Sequence, residues 1–229
     1  MSASQDFVSE FYPFLNAPAG GSREPLAALL ASARSSTLAK CAEVIALRAE
    51  VLAEHEADLD RAAQAMADRF VRGGKLLAFG NGGSATDADD AAADCTSPPR
   101  RGWRALPALS LPADSATVTA IANDVGLESV FVRQLGAVGE REDIALGFST
   151  SGNSTNIVAA FGEARRRGML TVALTGYDGG AVARAGAVDF CFIARREFVP
   201  RIQEGHATIW HTLLELTQHA LVAREEHDT

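Results

Sequence analysis

The chain has 229 residues, 47% of them hydrophobic, and a formal net charge of -8. That length and apolar share suit one large domain, or one domain with an appendage, and exclude general disorder. The acidic balance excludes a phosphate-backbone binder, whose footprint would be basic, so no nucleic-acid partner is expected.

Residues 1–23, with PFLNAPAGGS among them, read as a tail or arm. The opening MSASQDFVSEFYPFL carries acids where a signal peptide needs positive charge, and no apolar run approaches transmembrane length. Cys41, Cys95 and Cys191 are far apart and form no CxxC pair, so neither a disulfide framework nor a thiolate metal site is expected. These features together predict a cytoplasmic protein with reduced thiols and no membrane partner.

From Glu24 to Arg72 the text is helical, with Leu47, Val51, Leu52, His55 and Leu59 marking an amphipathic face and Arg72-Gly73-Gly74 the stop. Five short apolar runs follow: KLLAF (75–79), ALPALSL (105–111), DIALGF (143–148), MLTVAL (169–174) and VDFCFI (188–193). Helices are predicted over 84–95, 115–122, 127–138, 154–167 and 201–224. Continuous apolar runs separated by helices signal parallel strands buried on both faces. The predicted class is α/β: a doubly wound, five-stranded parallel sheet with an N-terminal helical segment, divided into an arm and short helix at 1–36 and the main domain at 37–229. Ligands of such sheets bind beyond the carboxyl ends of the strands, which directs attention to the loops at 80–84, 112–115, 149–154 and 175–180.

Gly80-Asn81-Gly82-Gly83-Ser84 lies between a strand and a helix, where glycines admit a ligand to the backbone and the helix offers free N–H groups. It is neither GxGxxG nor a Walker loop, so no nucleotide cofactor is expected, and a plain tight turn would use the same residues. The stretch GFSTSGNSTN (147–156) repeats the device and adds Ser149, Thr150, Ser151 and Ser154, each able to donate to an anionic oxygen. With no lysine or arginine in it, this loop suits a sugar phosphate held by neutral donors, the alternative being a heavily capped helix start. LTGYDGG (174–180) reads mainly as turn chemistry.

In combination, KLLAFGNGGSATDAD, TAIANDVG, LGFSTSGNSTNIVAAF, RRGMLTVALTGYDGG and RIQEGHATIWH resemble the sugar isomerase (SIS) domain, and within it the phosphoheptose (sedoheptulose 7-phosphate) isomerases, over residues 40–224. The resemblance implies an aldose–ketose isomerase and a homotetramer with active sites at subunit boundaries. It implies substrate contacts from Asn81, Gly82, Gly83, Ser84, Asn123, Asp124, Ser149, Thr150, Ser151, Ser154 and Gln203.

Aldose–ketose isomerisation moves a proton between adjacent carbons through an enediol, which requires a base at the carbon acid and a group that handles the oxygen proton. By the resemblance these fall on Asp94, where the family carries glutamate, and on His211. Some members hold zinc, and the corresponding set here is Asp90, Asp94, Gln203 and His211, an oxygen-rich group with one imidazole. Asp87 shares the face of Asp90 and Asp94, but Asp87 and Asp89 read equally well as a solvated acidic surface. His55, His206 and His219 read as structural or surface residues. Arg100 and Arg101 are both candidates for an arginine the family places shortly after its glutamate. The reaction implied is sedoheptulose 7-phosphate to a manno-heptose 7-phosphate. The alternative is a non-catalytic SIS protein that binds a sugar phosphate or a replication-initiator-type partner, because relatives of that kind have the loops without the catalytic pair.

Overall fold

The computed structural model of the protein describes residues 26–227. The chain divides into two compact units, Met1–Glu43 and Val44–Thr229. The arm expected within 1–36 lies, up to residue 25, outside the described residues. In the first unit, the start of helix α1 (Leu26–Val71) presents Leu26, Leu29, Leu30 and Leu38 as exposed apolar side chains.

The second unit begins within α1, whose Leu47, Val51, His55, Leu59, Met66 and Phe70 are buried. Leu52, counted in the predicted apolar face, is instead exposed; one residue beyond Val51 it is turned about 100° away around the helix. Then come β1 (Leu76–Gly80), α2 (Gly83–Thr96), β2 (Ala108–Ser110), α3 (Ser115–Asp124), a 3-10 turn (Leu127–Ser129) and α4 (Val130–Val138). The chain continues through β3 (Ile144–Ser149), α5 (Thr155–Arg166), β4 (Leu170–Gly176), α6 (Gly180–Arg184), β5 (Phe190–Ala194) and α7 (Val199–His227).

The five strands form one sheet, parallel throughout, in the order β2-β1-β3-β4-β5. Every residue of β1, β3 and β4 is buried, as unbroken apolar runs require. Alternate residues feed two cores. Leu76, Ala78, Ile144, Leu146, Phe148, Val172, Leu174 and Phe192 pack with α1, α2 and α7. Leu77, Phe79, Ala145 and Ala173 pack with α4, α5 and α6, where Phe79 lies 5.5 Å from Phe131 and 5.2 Å from Phe161 between ring centroids. Edge strand β5 is capped from α1, because the Ile193 N–H donates to His55 Nε2 at 3.1 Å.

Two element assignments also differ from the predicted ones. Strand β2 covers only Ala108–Ser110 of the expected 105–111, since Pro107 has no N–H for the ladder and uses its carbonyl to accept from Leu76. Helix α6 (Gly180–Arg184), not among the predicted helices, follows directly on the text read as turn, whose Gly179 and Gly180 take positive φ of 88° and 57°.

Candidate active site

The chain leaves β1 toward β2 on one side of the sheet and returns to β3 on the other. The loops after β1 and β3 therefore flank the topological switch point, the usual ligand crevice of such a sheet. They are tied together directly: Asn81 Nδ2 donates to Asn156 Oδ1 at 2.9 Å, and Asn156 Nδ2 donates back to Asn81 Oδ1 at 2.8 Å. Asn156 is buried and was missing from the predicted site; its signal was an amide at the first turn of the helix after the hydroxyl-rich loop.

Within the second loop, Ser149 Oγ accepts from the Gly152 N–H at 3.1 Å and Ser151 Oγ from the Asn153 N–H at 3.2 Å. A hydroxyl that accepts keeps its own proton to donate, so both oxygens are fixed while their O–H groups stay available. Ser154 caps α5 without a side-chain hydrogen bond, whereas at the start of α2 the Ser84 and Ala85 N–H groups already donate to the Asn81 and Gly82 carbonyls, both at 3.0 Å. The reading of STSGNS as a heavily capped helix start thus loses its main support, and the N-terminus of α5 leaves N–H groups for an anion. Gly152, at φ 62°, lies so close to the Gly179 carbonyl that a Cβ there would collide with it. The turn after β4 buttresses this loop, with Val182 N–H donating to Gly152 O and Ala181 N–H to Asn153 Oδ1, both at 2.9 Å.

Helices α2 and α7 run side by side in the same direction and meet at two rungs. At the upper one a Cβ on Gly83 would come within 2.6 Å of Gln203 Nε2, and the same amide approaches Asp87 Oδ2 at 3.4 Å. Asp87 is pushed up to about 6, first by burial, with the Gln203 amide opposing and the Asp90 charge adding to the rise. At the lower rung Asp94 Oδ2 accepts from Trp210 Nε1 at 3.0 Å and lies 3.6 Å from His211 Nε2. Asp94 and His211 line a cavity of about 290 Å³ with Pro99, Arg100, Trp103, Leu214 and Glu215. Of the two candidate arginines, Arg100 is the one in this wall, ion-paired to Glu215 and with its guanidinium 5.2 Å from the Trp103 ring centre.

Gln203 and His211 therefore belong to different rungs, roughly 12 Å apart along α7. The set Asp90, Asp94, Gln203 and His211 does not converge on one ion within one chain. Among the described residues, no three His, Cys, Asp or Glu side chains form a metal site. The donors as placed do not fit zinc: one Asp94 oxygen is held by an N–H, and the Gln203 amide faces Asp87. Asn123 and Asp124 end α3, exposed, with Asn123 Nδ2 donating to Asp124 Oδ1 at 2.9 Å; among the described residues no hydrogen bond joins them to either loop. His206 is fully buried, 6.1 Å from Phe148 between ring centres, and neither ring nitrogen has a hydrogen-bond partner.

The chain matches the SIS domain family model over residues 41–176 and belongs to that family. Among similar proteins, the phosphoheptose isomerase of Pelobacter propionicus is 44% identical over 164 residues, 72% of this chain and 85% of its own length. That of Citrifermentans bemidjiense is 36% identical over 196 residues, 86% of this chain and 99% of its own. The solved phosphoheptose isomerase of Neisseria gonorrhoeae superposes with a TM-score of 0.73 at 35% identity, covering 80% of this chain and 96% of its own. That of Francisella tularensis gives 0.75 at 30%, covering 82% and 98%. Among the described residues no helix is long and apolar enough to cross a membrane.

Proposed function

We infer that the chain is a phosphoheptose isomerase, an intramolecular oxidoreductase that converts sedoheptulose 7-phosphate to D-glycero-manno-heptose 7-phosphate through an enediol. The observation that carries the reading is the Asp94 carboxylate and His211 imidazole, 3.6 Å apart on the wall of one cavity in a fold shared with enzymes of that name.

Ser149, Thr150, Ser151 and Ser154, with the first N–H groups of α5, hold the phosphate; being neutral, they bind a dianion without a counter-ion. Asp94 removes the proton from the carbon beside the carbonyl and returns it to the neighbouring carbon. His211 moves the proton between the two oxygens, and Arg100 stabilises the negative charge that develops on the enediolate.

Asp94 lies about 16 Å along α2 from Gly83, a longer span than one extended heptose phosphate. This favours a substrate gripped by the loops of one copy and worked on by the acid–base pair of another, within a cytoplasmic homotetramer. The exposed leucines at the start of α1 give such an assembly apolar surface to bury. The test is purified protein with sedoheptulose 7-phosphate, followed by NMR for the aldose and by sedimentation for the assembly. Turnover in a tetramer supports the reading. No turnover, with or without added zinc, overturns it in favour of a binding protein.

A further inference from the structure

Trp210 sits at the lower rung with no role in the proton transfers. Its ring is buried in the core between the sheet and helices α1, α2 and α7, 2% exposed. An indole N–H only donates, and burial obliges it to find an acceptor. The acceptor here is Asp94 Oδ2, at 3.0 Å.

The next residue in the chain, His211, approaches the same oxygen from the exposed side, at 3.6 Å, its side chain 64% exposed against 22% for Asp94. Two consecutive residues of α7 thus present one buried and one exposed donor to a single carboxylate oxygen. Among the described residues no hydrogen bond reaches the other oxygen, Oδ1.

We propose that Trp210 is a positioning residue: its N–H pins Asp94 Oδ2, fixes the carboxylate's rotation, and leaves Oδ1 as the oxygen that takes the substrate's carbon-bound proton. The inference rests on the isomerase reading above. Aspartate is one methylene shorter than the glutamate expected at this position. A shorter side chain has less reach to correct its aim, and a misplacement of around 1 Å can cost about a hundredfold in rate. An anchor built into the core supplies the aim that length does not.

Trp210→Phe keeps the ring and removes the donor. The expected result is a folded protein whose kcat on sedoheptulose 7-phosphate falls by about tenfold to a hundredfold while KM stays within about twofold. A packing role alone would lower the thermal midpoint and leave kcat per folded molecule untouched, and that outcome overturns the proposal. Should Trp210→Phe not fold, the indole N–H resonances decide: Trp103 and Trp210 are the only two tryptophans. Asp94→Ala is expected to shift the Trp210 resonance and speed its solvent exchange, leaving that of Trp103 in place; an unmoved Trp210 resonance overturns the proposal. Wild-type protein that turns over no sugar phosphate removes the isomerase reading and with it the positioning role, while the resonance still reports the bond. Active wild type with an equally active Trp210→Phe removes the positioning role alone.

Discussion

Asn81 and Asn156 exchange a reciprocal pair of amide hydrogen bonds, 2.9 and 2.8 Å long, across the switch point of the sheet. Each glycine- or serine-rich loop is soft by composition, and this pair converts the two into one fixed cradle.

Asn156→Ala removes both bonds and leaves a small void in a buried position. It is expected to destabilise the protein by about 2 kcal/mol and to raise KM for the sugar phosphate roughly tenfold, with kcat less affected. Thermal melts and steady-state kinetics measure both. An unchanged KM in a destabilised variant would separate the pair from substrate binding.

The protein's acid sensitivity is expected to trace in part to His206. Burial pushes its ring down to about 4 from an ordinary 6.5, and the Thr175 backbone, which approaches the ring without making a full hydrogen bond, opposes this only in part. Between those values the unfolded chain binds the proton and the native chain does not. Stability is therefore full above pH 6.5 and falls as pH drops toward 4, by on the order of 3 kcal/mol. Asp87, raised to about 6, acts in the opposite sense, because there the native chain holds the extra proton and loses stability as pH rises from about 4 to 6. Urea unfolding of wild type and His206→Leu at pH 7.5 and 4.5 isolates the histidine. The variant should lose less stability on acidification; an identical loss contradicts the assignment.

At the amino ends of β1 and β3, Asp143 is 2% exposed and accepts from Lys75 Nζ at 2.7 Å, the Lys75 N–H at 2.9 Å and the Glu140 N–H at 2.8 Å. Asp143→Ala leaves two backbone donors and a half-buried ammonium without their acceptor, a loss of about 3 kcal/mol, or roughly 6–12 °C in the melting midpoint. Calorimetry checks it, and activity per folded molecule should not change, since this site is at the far end of the sheet from the loops.

The sheet was legible because its central strands are buried on both faces: LLAFG, IALGFS and LTVALTG are unbroken apolar runs that no amphipathic helix would use. The loops were legible for a related reason, since Ser149, Ser151 and Ser154 exceed what a turn or cap requires. What escaped the sequence depends on neighbours from elsewhere in the chain. Asn156 looks like any polar residue in a first helical turn until Asn81 is seen opposite it. Asp87 looks solvated until Gln203 closes over it, and Trp210 looks like a core aromatic until its N–H is traced to Asp94. The spacing of Gln203 and His211 placed them on one face of α7, but only the packing of α2 shows that each has a different partner.

The central claim is that Asp94 is the base. Its most direct test is proton exchange at the carbon beside the carbonyl of sedoheptulose 7-phosphate in deuterated water, followed by NMR for wild type and Asp94→Asn. The account predicts rapid exchange in wild type and a loss of about a hundredfold or more in Asp94→Asn, with the sugar phosphate still bound through the intact loops. Exchange that continues at the wild-type rate in Asp94→Asn would contradict it.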